Sequence, residues 1–304
     1  MSWLLTASLL WAFSFGLIKR FLPDLDPWQV AAVRLALAAV VLAPWSVRRA
    51  PPGPVRLPAL ALGAVQFGLM YVCYLAAYRH LAAWQVALWT VLTPLLVVLM
   101  DNVVTRRLAW RSWLAAVLAV GGAVVAQGRL PAGDTLTGVL LVQASNAFFA
   151  AGQLGYRRLA ARSGVAGAGG VAREAGLLGW MYLGAIAPAL AGAWWRGADP
   201  SPLMAGVAPA VLLYLGLLPT AAGFWLWNRG AARTGTGALA VANNLKAPLA
   251  MLVAWLVFGE AADHLRAAAG MGVIVVALAV APRHGPTQRG SEPSGPEPRC
   301  SAGS

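Results

Sequence analysis

Stretches of about twenty apolar residues follow one another along this chain, separated by short polar links rich in Pro, Gly and Arg. In a bilayer no water satisfies backbone N–H and C=O groups, so a chain with this pattern must fold as helices that bond their own backbones. Ten segments qualify, at about 3–21, 28–46, 57–78, 83–103, 110–127, 135–156, 174–195, 205–227, 236–258 and 265–282. Only 11% of the residues are charged, where a soluble domain carries about 25%. The expected fold is therefore an all-α integral membrane protein with ten transmembrane helices. No link is long enough to form a separate soluble domain.

The net charge of +13 raises the question of nucleic acid, but the basic residues sit in short runs between the apolar segments. That arrangement fits topology signals, so no nucleic-acid partner is expected. With the amino terminus inside, the inner links carry Arg48, Arg49, Arg56, Arg106, Arg107, Arg111, Arg157, Arg158, Arg162, Arg173, Arg229 and Arg233. The outer links carry Lys19, Arg20, Arg79, Arg129, Arg196 and Arg266, so the bias is twelve to six. The positive-inside rule then puts both termini in the cytoplasm, the protein being multi-pass in the cell inner membrane. The start, MSWLLTASLLW, lacks a basic n-region and a cleavage site and reads as a retained first span. Cys73 and Cys300 imply no disulfide framework. The tail 283–304, rich in Pro, Gly and Ser, reads as disordered and cytoplasmic.

The pattern repeats. Thr93-Pro94-Leu95 in the fourth segment matches Ala247-Pro248-Leu249 in the ninth, and Trp11-Ala12-Phe13 in the first matches Asn146-Ala147-Phe148 in the sixth. The halves are 1–128 and 134–282. Five spans is an odd number, so the second half enters the membrane inverted. Inverted five-helix repeats with a substrate site between them are a signature of secondary transporters.

The first span WAFSFGLIKRF, the arginine in AAVRLALAAVVL, Thr-Pro in the fourth span and the close AVANNLKAPLAMLVAWLVFGE together resemble the EamA-type members of the drug/metabolite transporter superfamily. The resemblance covers residues 1–282. It implies ten helices in two inverted repeats of five and transport of small metabolites, often outward, without fixing a substrate. The chain departs from the pattern after its fourth span. Thr105-Arg106 stands where an acidic residue is usual, whereas the second-half counterpart, Glu260, is kept. The departure counts against any role that needs a pair of such carboxylates.

Charge inside the spans narrows the chemistry. Arg34 and Lys246 are the charged residues deep in the apolar segments, and no Asp or Glu joins them. A cation at the centre of a bilayer costs at least about 2.5–3.5 kcal/mol. A carrier of lipophilic cations would place a carboxylate in its cavity; this pattern instead suits a substrate with a carboxylate. Lys246 lies about eleven residues, roughly 16 Å, from either end of its span, too deep to snorkel comfortably. Asn243 shares its face, and Pro248 frees carbonyls nearby. Arg34 is shallower, and either faces the cavity or reaches the outer interface near Asp24 or Asp26.

Further candidates are neutral. Gln143, Asn146 and Gln153 share one face of the sixth span and either bind substrate or tie helices together. Gln66 and Tyr74 in the third span are cavity candidates, as are Trp11 and Ser14 in the first. Tyr78 reads as part of the aromatic belt. Thr93 beside Pro94 and Thr220 beside Pro219 mark helix distortions that expose backbone groups. Trp28, Trp45, Trp84, Trp110, Trp194 and Trp195 sit at span ends and read as interface anchors.

No HExxH, CxxC, EF-hand, GxSxG, Walker A or GxGxxG motif occurs, so no metal, cofactor or nucleotide is expected. The expectation is a secondary transporter, more often an exporter than an importer, working by alternating access on carboxylate-bearing molecules such as amino acids or organic acids. Lys246 would hold the carboxylate, Asn243, Asn146 and Gln153 would hydrogen-bond the substrate, and Trp11 and Tyr74 would pack its apolar part. A desolvated lysine can also exchange a coupling proton. A facilitative channel or lipid flippase is the alternative; a membrane-embedded enzyme lacks a nucleophile–base constellation.

Overall fold

A computed structural model describes residues 2–106, 110–128, 130–165, 170–231 and 236–280, with the side chains at 94, 98, 101, 102, 104, 105, 112, 157, 228–231, 236–245 and 278 outside the description. The expected tail beyond 282 also lies outside the described residues. The elements are α1 (Ser2–Phe21), α2 (Pro27–Arg48), α3 (Gly53–Gly63), α4 (Met70–Ala77), α5 (Ala83–Thr90), α6 (Thr93–Thr105), α7 (Trp110–Gln127), α8 (Gly133–Arg162), α9 (Gly170–Trp195), α10 (Ala208–Leu215), α11 (Gly223–Ala231), α12 (Thr236–Leu256) and α13 (His264–Val280). A π-helical turn, Ala64–Leu69, joins α3 to α4, and another, Gly216–Ala222, joins α10 to α11. Among the described residues there is no strand.

Among the described residues, six helical stretches are long and apolar enough to cross a membrane: Ser2–Phe21, Pro27–Arg48, Gly53–Ala77, Gly133–Arg162, Gly170–Trp195 and Ala208–Trp227. Ala83–Val97, Trp113–Gln127, Lys246–Leu256 and His264–Ala277 are shorter apolar helices. Local sequence explains several boundaries. Asp26 caps α2 by accepting from Trp28 N–H (3.0 Å) and Gln29 N–H (3.2 Å), with Pro27 at the first helical position. The helix stops at Thr90 and restarts at Thr93, ahead of Pro94, which cannot donate to the preceding turn.

Small residues let the backbones approach. A Cβ at Gly63 would fall 1.8 Å from the Met181 carbonyl oxygen, and one at Gly184 would fall 2.0 Å from that of Leu60, so α3 and α9 cross with no room for any side chain. Gly122 and Gly270 make the same kind of crossing between α7 and α13, at 2.7 and 2.3 Å from each other's carbonyl oxygens. The contacts pair off. α2 packs on α9, α5 on α12, and α7 on α13; α1 meets α11 and α12, while α8 meets α4 and α6; α2 meets the second π-turn, while α9 meets the first.

Hydrogen bonds gather one end of the bundle. Lys19 donates to the Tyr78 carbonyl (2.7 Å), Arg79 to that of Leu25 (3.1 Å) and Gln29 to that of Ala198 (2.8 Å). Arg196 pairs with Asp26 (3.1 Å) and His80 with Asp134 (2.5 Å). Glu260 belongs to this end. The opposite end carries the arginines at 48, 49, 56, 162 and 173. Trp110, Trp194 and Trp195 are exposed, as interface anchors should be, but Trp84 is buried because α12 and the link after it cover the start of α5. Tyr78 is likewise fully buried instead of lying in an aromatic belt; its hydroxyl donates to that of Tyr74 (2.5 Å).

Candidate functional site

The centre of the bundle holds a cavity of ≈ 80 Å³ walled by aromatic rings and two cations. α1 contributes Trp11, Ser14 and Phe15; α2 contributes Arg34; α4 contributes Met70, Tyr71 and Tyr74. Thr90 and Thr93 come from either side of the α5–α6 break, Ser145, Asn146 and Phe149 from α8, Phe224 from α11 and Lys246 from α12. No Asp or Glu lines it among the described residues. The volume is well below the roughly 300 Å³ at which ligand pockets begin.

Lys246 is 7% exposed, and its Nζ sits 5.6 Å from the Trp11 ring centroid and 5.7 Å from that of Phe149. Ring faces attract a desolvated ammonium by about 2 kcal/mol or more. Trp11 is itself fixed: its Nε1 donates to the Pro219 carbonyl (2.9 Å) within the second π-turn. Its ring also packs on Phe224 at 5.1 Å and Trp227 at 5.3 Å.

Arg34 answers the alternative left open by its depth. It is 2% exposed and faces inward, away from Asp26, which is engaged with Arg196 and its own helix. Nε and Nη2 donate to Thr220 Oγ1 at 3.3 and 3.2 Å, and the guanidinium lies 4.3 Å over the Tyr71 ring. Thr220 is the centre of this cluster. Its hydroxyl donates to the Leu215 carbonyl (2.7 Å) and lies 3.2 Å from the Tyr71 hydroxyl, while its own carbonyl accepts from Tyr182 (2.8 Å). Arg34 Nη1 is buried without a hydrogen-bond partner.

The neutral candidates divide. Asn146 donates to the Trp89 carbonyl (3.0 Å), and its Oδ1 lies 2.9 Å from Thr93 Oγ1, so it stitches α8 to the broken helix while lining the cavity. Thr93 Oγ1 is also 2.7 Å from the Thr90 carbonyl. Tyr74 reaches the cavity and stacks edge-on against Phe15 at 5.6 Å. Gln66 and Gln153 do not line it. Gln66 lies in the first π-turn against Gly152, with its Oε1 buried and unpartnered. The side chain of Asn243 lies outside the described residues. Phe149 and Phe224 were not among the expected candidates; Phe149 follows Asn146 by three positions and so shares its face, a signal available in the sequence.

A larger cavity, ≈ 490 Å³, opens at the arginine-rich end between Arg48, Arg49, Arg162 and Arg173. It has no aromatic wall and lies among the links, so the central cavity is kept as the candidate site.

Helices that satisfy their own backbones, lipid-sized apolar stretches and a cation-bearing cavity at the core define a multi-pass membrane protein. The sequence model of the EamA-like transporter family matches residues 1–127 and 137–281, and the chain belongs to that family. It is thus a small-molecule transporter and not an enzyme. A probable biotin transporter of Pseudomonas aeruginosa is 38% identical over 280 residues, covering 91% of this chain and 96% of the relative. The biotin transporter of Escherichia coli K12 is 32% identical over 255 residues, covering 83% of each. A probable terminal-alkyne amino-acid exporter of Streptantibioticus cattleyicolor is 29% identical over 279 residues, covering 88% of this chain and 89% of the relative. A solved crystal structure at 23% identity shares the fold with a TM-score of 0.65 over 92% of this chain and 95% of the other.

Proposed function

We propose that this chain is a secondary transporter for small carboxylate-bearing molecules, with biotin the leading candidate. The observation that carries the reading is Lys246, buried in a cavity that no acidic side chain lines among the described residues. A buried cation without a protein counter-charge favours an anionic ligand. The relatives named for biotin support the choice, since biotin joins a carboxylate to an apolar chain and a compact ring. Lys246 takes the carboxylate, Trp11, Phe149 and Phe224 pack the apolar part, and Asn146 with Thr93 offers hydrogen bonds. Asn243, one turn before Lys246, belongs to the same proposal by its place in the sequence.

The halves 1–128 and 134–282 act as two inverted five-helix units that rock about the cavity. Ten membrane-crossing helices, both termini in the cytoplasm and residence in the cell inner membrane complete the reading. Its support is the pairing of contacts, in which each helix has a counterpart in the other half, and the π-turn in the third span of each half. Lys246 is also the proposed carrier of a coupling proton.

The test is binding and uptake by purified protein in liposomes, comparing biotin with its neutral amide and with lipophilic amines. Biotin should bind at least about tenfold more tightly than the amide, the factor that corresponds to one charge-assisted hydrogen bond. Equal binding of acid and amide, unchanged in Lys246→Met, would overturn the reading. A second reading, export of amino acids, is favoured by the amino-acid exporter among the relatives. It is told apart by amino-acid counterflow from loaded vesicles.

A further inference from the structure

Glu260 lies away from the cavity and joins the second half to the first at a helix terminus. α12 ends at Leu256 and the chain turns through Gly259, whose φ of 65° suits glycine. The Glu260 N–H donates back to the Ala254 carbonyl at 3.0 Å, closing the helix end. This turn brings the two carboxylate oxygens onto the N–H groups of Ala83 (2.9 Å) and Trp84 (3.0 Å), the first two residues of α5. The first N–H groups of a helix have no partner within it, and the dipole there favours an anion. Beside it, the Phe258 ring fills the space above Gly16 of α1, where a Cβ would fall 2.1 Å from the ring. One short link therefore clamps α12 to α5 and α1.

The corresponding place in the first half, after α6, is held by Arg106. An arginine cannot accept from a helix N-terminus, and its charge opposes that end of the dipole. α5 in turn shapes the cavity: Thr90 lines it and the Trp89 carbonyl accepts from Asn146.

We infer that Glu260 is a latch that holds the cavity shut at its own end of the bundle, and that the arginine-rich end, which has no carboxylate in the corresponding place, opens more readily. The inference rests on the alternating-access reading above. Glu260 is a positioning residue that acts through α5 and does not touch substrate.

The test reads sidedness. Ser145→Cys places a thiol in the cavity wall, in a background with Cys73 and Cys300 changed to Ser. A membrane-impermeant maleimide is then applied to intact cells and to inverted vesicles. Glu260→Gln weakens the carboxylate's two bonds. Ala83→Pro removes one donor and leaves the glutamate intact; proline suits the first helical position, and Ala82 before it is already extended at φ −71° and ψ 159°. Each variant should speed labelling from the Glu260 side by at least about fivefold and slow it from the other side, with the double variant no further shifted than the stronger single one. Unchanged sidedness with only a lower melting temperature would show Glu260 to be a helix cap and nothing more. Labelling needs no substrate. If biotin fails to bind while labelling shifts, the substrate reading fails and the latch stands; if biotin binds while labelling is unmoved, the latch fails alone.

Discussion

Arg34 and Lys246 are cations in the walls of one cavity, yet they are held in opposite ways. Arg34 is built in: two of its N–H groups meet Thr220, its plane lies on Tyr71, and Thr220 is braced by Leu215 and Tyr182. Lys246 lies over the rings of Trp11 and Phe149, contacts that a carboxylate can displace. The difference teaches that burial of a charge does not by itself mark a receptor. What marks one is how little of its surroundings must be rebuilt when a ligand arrives. A rigid planar fork suits a framework; a compact ammonium on a flexible stem suits an exchangeable partner.

Substitutions test this contrast. The largest effect is expected for Lys246→Met, which keeps the length of the stem and removes the charge. Biotin affinity should fall by roughly 10- to 100-fold while the melting temperature holds or rises, because a buried charge has been relieved. Thr220→Val should do the reverse. It strips Arg34 of both hydrogen bonds and leaves charged N–H groups buried, at about 1–3 kcal/mol of stability, with affinity in the surviving folded fraction changed by less than about threefold. Thermal unfolding in detergent alongside titration calorimetry separates the two quantities. Arg34→Gln is smaller in stability, since the Tyr71 and Thr220 hydroxyls can still pair at 3.2 Å. If this variant folds but loses biotin as completely as Lys246→Met, the roles assigned to the two cations are exchanged.

Trp11→Phe should have the smallest effect. It keeps a ring near Lys246 but loses the bond to the Pro219 carbonyl, at about 1 kcal/mol, and weakens the cation–π contact enough for a two- to fivefold change in affinity. A loss larger than that for Lys246→Met would mean that the aromatic wall, and not the ammonium, carries recognition.

The sequence displayed some of this directly. The break ahead of α6 falls at Thr93 and Pro94, where a distortion was expected, whereas the capping of α2 by Asp26 shows only in the structure. Lys246, Trp11, Tyr74, Asn146 and Thr93 line the cavity that their polarity and spacing suggested. Gln66 and Gln153 have equal polarity but do not line it, because which face of a helix meets the cavity depends on its neighbours. Trp84 and Tyr78 looked like interface residues from their positions at span ends; partners distant in sequence bury them. Phe149 carried a readable signal in its three-residue spacing from Asn146, but one phenylalanine among many apolar residues does not stand out.

By itself, the sequence determined the helical class, the order of its motifs, and the presence of two cations within apolar segments that hold no acid. Those follow from hydropathy and local backbone chemistry, which operate over one or two helical turns. Only the tertiary structure decided that Arg34 belongs with Thr220, 186 positions away, that Lys246 sits among aromatic rings, and that Glu260 caps α5. Such pairings depend on which helix faces pack together. Close glycine crossings and π-turns set that choice, and a one-dimensional pattern does not contain it.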